Sequence, residues 1–427
     1  MVSATRARPA PAGPSPAASG APAAPGLKAR PGHFGPFRMQ QLVLIEIAAA
    51  LLLVASVIDA LLLVPAGVLA ALLVLLAVVR RHRRSLPEWL STLVALRART
   101  RRAASMVLPA GTEPGLAPAV ECDPALRTYS YSDRDRRPVG MIGDGTFLTA
   151  VLQIESEATA LRPDRSSRPL PVSLVRDVLD VDGIRLESAQ IVQHTQPAPA
   201  PHLPEQSVAA RNYAPLQAQT GSPAVRITWI ALKLDPELCP EAVTARGGGL
   251  TGAQKCVVRA ADQLASRLTG AGFRATVLTE QELTTAIAIS SCANPLAIAQ
   301  AGRTDTPGLR TKETSRTWRC DDRRHTTYWV GRWPQLGSGG APMPQLVALL
   351  TSIPALATTF SLTLGRGDRQ GVTVSGHIRI TGRSDDELVT ARHELERAAR
   401  GVKTGLVRLD REQLPAMLAT LPLGGTR

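Results

Sequence analysis

Aromatic residues make up only 3% of this 427-residue chain, so its cores have to be filled by aliphatic side chains. The hydrophobic share of 44% suffices for that, and the length leaves room for two or three domains. Cysteines at C-x-x-C spacing are absent. Cys122, Cys239, Cys256, Cys292 and Cys320 stand far apart, and an odd count at irregular spacing argues for reduced thiols and against a disulfide framework. No acidic residue precedes Glu46, although the whole chain carries a formal charge of +14.

Catalytic signatures are missing as well. The stretch Arg246-Gly247-Gly248-Gly249-Leu250-Thr251 puts glycines ahead of a helix, where backbone N–H groups can receive phosphate. It departs from the phosphate-loop pattern, because Lys255 follows Gln254 and Cys256 replaces the magnesium-binding hydroxyl. His393-Glu394 resembles half of a zinc-protease helix, but Arg397 stands where the second ligand belongs. Two-metal phosphoryl transfer needs paired carboxylates, and only Asp144 and Asp368 occupy suitable strand ends, far from each other in the chain. The expectation is a protein that is not an enzyme, with no cofactor and no metal. The competing reading is a membrane-tethered nucleotide-binding enzyme or sensor built on the Gly247 to Thr251 loop.

What the sequence does contain is an almost continuous apolar stretch from Met39 to Val79, interrupted by Glu46, Asp59 and Pro65-Ala66-Gly67. At about 1.5 Å per helical residue it is too long for one bilayer crossing and suits two, so residues 39–79 predict a transmembrane helical hairpin. Arg6, Arg8, Lys28, Arg30 and Arg38 precede it, and Arg80-Arg81-His82-Arg83-Arg84 follows. By the bias of basic residues toward the cytoplasm, both termini belong inside a multi-pass plasma-membrane protein. Glu46 either pairs with a polar group of another subunit or snorkels to the interface.

Thirteen of the basic residues against three acidic ones lie ahead of residue 111, which leaves thirty-six against thirty-two for the rest. The positive charge is therefore a juxtamembrane feature that attracts anionic lipid at the inner leaflet, and it disfavours nucleic acid as a partner.

Residues 1–38 form a Pro/Ala-rich basic tail whose composition predicts disorder. Residues 80–108 read as a basic amphipathic helix opened by Ser85-Leu86-Pro87-Glu88 and carrying Trp89, Leu90, Leu93, Val94, Arg97, Arg101 and Arg102. Such a helix either lies on the inner leaflet or docks on a partner's helix; Trp89, Arg97 and Arg101 are its contact candidates. Residues 109–137 form a linker.

From Pro138 onward, short strands alternate with helices in the order βαββαβ, which then recurs. Residues 138–300 form a first α/β unit with an insertion at 196–223, and residues 301–427 a second. Capping patterns at Thr251, Thr279, Ser384 and Asp410 accompany the helices. The predicted fold is thus α+β: an N-terminal two-helix transmembrane hairpin followed by a cytosolic domain of two tandem ferredoxin-like βαββαβ units. The aromatic strand Tyr328-Trp329-Val330-Gly331-Arg332-Trp333 offers Trp329 and Trp333 as partner contacts.

Three segments carry a family resemblance: Pro138 to Val151 with Asp144-Gly145, Arg226 to Pro236 with Trp229 and Asp235, and Thr317-Trp318-Arg319 ahead of Thr327-Tyr328-Trp329-Val330. Together with the apolar N-terminal stretch they resemble EccE, a membrane component of the actinobacterial type VII (ESX) secretion machinery. The resemblance implies a non-catalytic structural subunit of an inner-membrane complex with EccB, EccC and EccD, in which EccC supplies the energy. It brings no active site with it.

Overall fold

A computed structural model describes residues 33–34, 37–58, 63–78, 80–81, 84–133, 135–156, 169–196, 208, 211–212, 225–303, 308–334, 342–367 and 371–425. Most of the predicted tail, nearly all of the 196–223 insertion, Asp59 and Asp368 lie outside these residues.

The first three helices are α1 (Met39–Ile58), α2 (Leu63–Val78) and α3 (Leu86–Ala104). A short α4 (Ala117–Cys122) leads into β1 (Arg127–Ser132), β2 (Pro138–Gly143) and β3 (Leu148–Ser156). Then follow α5 (Val172–Asp177), β4 (Ser188–Gln196), β5 (Val225–Leu234), α6 (Pro240–Ala245), α7 (Gly249–Gly270), β6 (Phe273–Val277), α8 (Glu280–Ser290) and α9 (Pro295–Ala301). The remainder comprises β7 (Thr311–Glu313), β8 (Trp318–Cys320), β9 (Arg323–Arg332), α10 (Met343–Thr351), β10 (Ala357–Arg366), β11 (Val372–Gly382), α11 (Asp385–Gly401), β12 (Gly405–Arg408) and α12 (Gln413–Leu418).

Among the described residues these twelve strands form one antiparallel sheet, in the order β7-β8-β9-β11-β10-β4-β5-β3-β2-β1, with β6 also on β3 and β12 also on β9; three two-residue ladders, 33–34 with 37–38, 80–81 with 84–85 and 180–181 with 184–185, stand apart from it. This overturns the predicted fold class in two respects. First, no helix among the described residues is long and apolar enough to cross a membrane. α2 has 16 residues, about 24 Å of helix against a hydrocarbon core of about 30 Å. The transmembrane hairpin, and the multi-pass topology built on it, therefore lose their structural basis.

Second, the two predicted units do not stand as separate ferredoxin-like domains. β4 and β10 pair with each other from Ser188 opposite Gly365 to Thr195 opposite Thr358, fusing everything into a single sheet. The physical reason is the cost of an open edge: in separate units each of these strands would leave a row of N–H and C=O groups unpaired. Two added hairpins, β1–β2 and β7–β8, extend the sheet at its ends.

The sheet buries two cores. One lies under α5, α6, α7, α10 and α11 and is almost wholly aliphatic. Leu264 and Leu268 of α7 and Leu388, Ala391 and Leu395 of α11 recur at helical spacing and point into it. The other lies under α4, α8, α12 and residues 419–425.

The sheet face under the second core is polar for a reason that pattern reading misses: it has to satisfy a segment that pairs with no strand. Gln190 Nε2 and Ser361 Oγ donate to the carbonyl of Ala419, both at 2.9 Å. Gln190 Oε1 accepts from Gly424 N at 2.8 Å, Ser188 Oγ donates to Gly424 O at 2.6 Å, and Thr149 Oγ1 donates to Leu423 O at 3.1 Å.

Helix starts only partly follow the sequence signals. Thr279 forms the complete capping box with Glu282, and Ser384 caps α11 through Glu387 N. Thr251 instead lies inside α7, whose N-cap is Gly248 without a side-chain cap, and Asp410 holds Arg408 instead of capping α12. The run of glycines reflects backbone geometry, since φ is +110°, +69° and +53° at Gly247, Gly248 and Gly249.

Candidate docking surface

Helix α3 is fastened to the sheet by an arginine that the sequence reading passes over. Arg99 Nε and Nη2 donate to the two carboxylate oxygens of Glu313 on β7 at 2.8 and 3.0 Å, and Nη2 also donates to the carbonyl of Arg411 at 2.6 Å. Glu313 accepts further from Leu414 N at 3.0 Å, so one buried carboxylate joins α3, β7 and α12. Nearer the start of the same helix, the Arg411 guanidinium lies 4.9 Å from the centre of the Trp89 ring, a cation–π contact. Arg411 itself sits at φ +65°, and its N–H donates to Ser315 O at 2.7 Å.

These contacts fix which side of α3 faces out. Trp89 is half-buried toward the body, while Leu90, Val94, Arg97, Arg101 and Arg102 are exposed. The outer face thus changes along the helix from apolar at its start to basic at its end. Of the predicted contact residues, Arg97 and Arg101 lie on this face and Trp89 on the opposite one.

Glu46 is exposed on α1. α1 and α2 pack together, and the described residues they bury are Ala48, Ala55, Ala66 and Ala70. Their larger side chains remain outside, among them Ile47, Leu53, Val57, Val64 and Val68. α2 also touches α3.

The two predicted contact tryptophans of β9 part company. Tyr328 and Val330 belong to the first core, so Trp329 between them points to the other face, where its strand neighbours are His377 and Val407. The register irregularity between Val330 and Arg332 then returns Trp333 to the first core. Its ring sits over Gly376, where an added Cβ would lie 2.6 Å from Cη2.

The buried polar face under α12 contains groups that elsewhere do chemistry. Arg379 is fully buried and donates to Ser290 O, to Met417 Sδ and, at 3.1 Å, to Thr359 Oγ1. No carboxylate pairs with it among the described residues. Its charge meets instead the C-terminal end of α8, where carbonyl dipoles point outward. Burial lowers its pKa to about 10.

His194 Nδ1 lies 2.9 Å from Thr359 Oγ1, and His325 Nδ1 lies 2.9 Å from Thr381 Oγ1. Burial first, then the nearby Arg379 charge, pushes His194 down to about 3 and His325 well below the usual histidine range, while burial alone brings His377 to about 4. All three are neutral at physiological pH, closed off from solvent and unsuited to exchanging protons with a substrate.

Other candidate groups are absorbed in structure. Arg397 pairs with Glu394 at 2.7 Å, and Cys256 Sγ donates to Ala242 O at 3.6 Å. Burial by itself raises the Asp321 carboxyl, but two bonds from Arg310, one from Asn294 N and the Arg310 charge outweigh it and hold the group below its ordinary range. All five cysteines are buried free thiols. Among the described residues no group of three or more His, Cys, Asp or Glu side chains is placed to hold a metal ion. An open groove of about 300 Å³ runs between Pro114, Gly115 and the helices α8 and α9, lined mainly by Ala288, Ile289, Pro295 and Ile298. It holds one carboxylate, Glu113, and no partner group for acid–base work.

Residues 222–330, from just ahead of β5 to near the end of β9, match the EccE family model, described as belonging to the type VII ESX secretion system translocon. No curated protein matches the chain. The resemblance to EccE holds over this segment.

Proposed function

We propose that the chain is a non-catalytic structural subunit of a membrane-associated type VII secretion translocon, and that it works by docking. The observation that carries this reading is the division of α3 into a face bolted to the sheet by Arg99 and an exposed face bearing Leu90 and Val94. A rigid helix presenting uncovered Leu90 and Val94 beside a helix pair with apolar exteriors is a surface in need of a partner. The match of residues 222–330 supplies the class of partner, other ESX components, and EccB-, EccC- and EccD-type subunits are the proposed ones. The polar groups of the sheet are engaged in holding backbone, which agrees with a structural role.

The test is purification of the full chain from mildly solubilised membranes, alone and as Leu90→Glu/Val94→Glu. The wild type should bring other secretion subunits with it, and the double variant should lose them while keeping its circular dichroism. A wild-type chain that purifies alone overturns the reading.

A further inference from the structure

We propose that the basic end of α3 binds the phosphate headgroups of anionic phospholipid, so that the sheet is held at a fixed attitude on a bilayer surface. The inference rests on the assignment to a membrane-associated translocon and adds a second contact to it.

From Trp89 to Val107 the chain holds four arginines and no acidic residue. Arg99 is consumed by Glu313. Arg97, Arg101 and Arg102 are exposed, and among the described residues none of them pairs with a carboxylate. Three uncompensated guanidinium groups within two turns, at a helix end whose dipole already favours cations, make a local positive field with five N–H donors on each group. Planar guanidinium matches phosphate oxygens in pairs, which suits a headgroup better than a diffuse acidic surface.

The neighbourhood selects lipid over a soluble anion. The apolar part of the same helix face, Leu90 and Val94, lies about one to two turns before Arg97. Apolar and basic groups side by side on one helix suit a place at the membrane surface, where a membrane-bound partner covers Leu90 and Val94 and the guanidinium groups beside them meet lipid phosphates. Because Arg99, Glu313 and Arg411 lock α3 to the body, lipid contact along this face sets the orientation of the whole sheet.

Flotation of the full chain with vesicles of phosphatidylcholine alone, and with phosphatidylglycerol mixed in, tests this. Apolar attachment is common to both compositions, so the difference between them isolates the headgroup contact. Binding to the phosphatidylglycerol vesicles should be tighter and should weaken with salt. Arg97→Gln/Arg101→Gln/Arg102→Gln should remove the preference, a loss of roughly fivefold per arginine and on the order of a hundredfold together. The triple lysine variant should keep most of it. Equal binding to both vesicle types, or a preference that survives the triple glutamine variant, overturns the proposal. Loss of co-purifying secretion subunits in that variant, with vesicle binding unchanged, also overturns it and assigns the arginines to a protein partner, leaving the structural-subunit reading intact.

Discussion

Arg99 and Glu313 meet across 214 positions of sequence, with both nitrogens of the guanidinium edge on both carboxylate oxygens and Leu414 N–H on one of them. The pair is largely out of water, where losing one member strands the other. Arg99→Ala should therefore cost about 3–5 kcal/mol in the attachment of α3. Limited proteolysis is the direct measurement: cleavage between residues 89 and 104 should become faster while the sheet stays protected. The paired replacement Arg99→Met/Glu313→Leu, which removes both charges together, should recover most of the loss. Unchanged protection in Arg99→Ala would mean that Trp89 and its neighbours hold the helix unaided.

Arg379 offers a contrast, because its partners are neutral. Arg379→Met keeps most of the volume and removes a desolvated charge, at the expense of leaving Ser290 O without its donor, and the two effects roughly offset each other. A change below about 2 kcal/mol is expected, against about 3 kcal/mol or more for Arg379→Ala, which also opens a cavity. Urea unfolding of the two variants separates these outcomes, and equal losses would show that the charge itself is essential.

The buried histidines make the fold acid-sensitive. In the unfolded chain His194, His325 and His377 take up protons below about 6.5, whereas the folded chain refuses them until about 3 for His194 and about 4 for His377. Their contribution to stability is complete above pH ~6.5 and is lost as the pH falls through that window, with a slope approaching 1.4 kcal/mol per pH unit for each group. Glu121 and Asp123, whose carboxyls burial raises, act in the opposite sense, so the net slope is smaller. Denaturation at a series of pH values should show stability falling below 6.5, and His194→Gln should flatten the curve. A flat profile in the wild type would refute the burial of these rings.

Gly376 lies under the Trp333 ring, and a methyl group there has nowhere to go. Gly376→Ala should expel the indole from its site, costing about 1–3 kcal/mol, and shift its fluorescence to longer wavelength. Because Trp333 is one of five tryptophans, the shift is read against Trp333→Phe in the same background.

Much of the sheet is legible from alternation and turn residues. Val225 to Leu234, Val372 to Gly382 and the two long helices α7 and α11 all fall in the region from Pro138 onward where strands are read as alternating with helices. The hairpin β1–β2 escapes because Arg127-Thr-Tyr-Ser-Tyr-Ser132 is an outer strand with one neighbour, and such strands carry little apolar signal. Hydropathy misleads at α1 and α2, since a long apolar run states that surface must be covered without stating by what. The anchoring role of Arg99 depends on a contact with β7 that no local pattern encodes. Arg97 and Arg101, by contrast, are visible in the sequence because exposed charge follows helical spacing directly.

The seam between β4 and β10 has a consequence for any attempt to divide the chain. A cut in the stretch ahead of Thr311 would give two pieces, each ending its sheet on a bare eight-residue rim, Ser188 to Thr195 on one and Thr358 to Gly365 on the other. Expressed singly, such pieces would clump with their own kind; mixed while refolding, they should find one another and rebuild the whole.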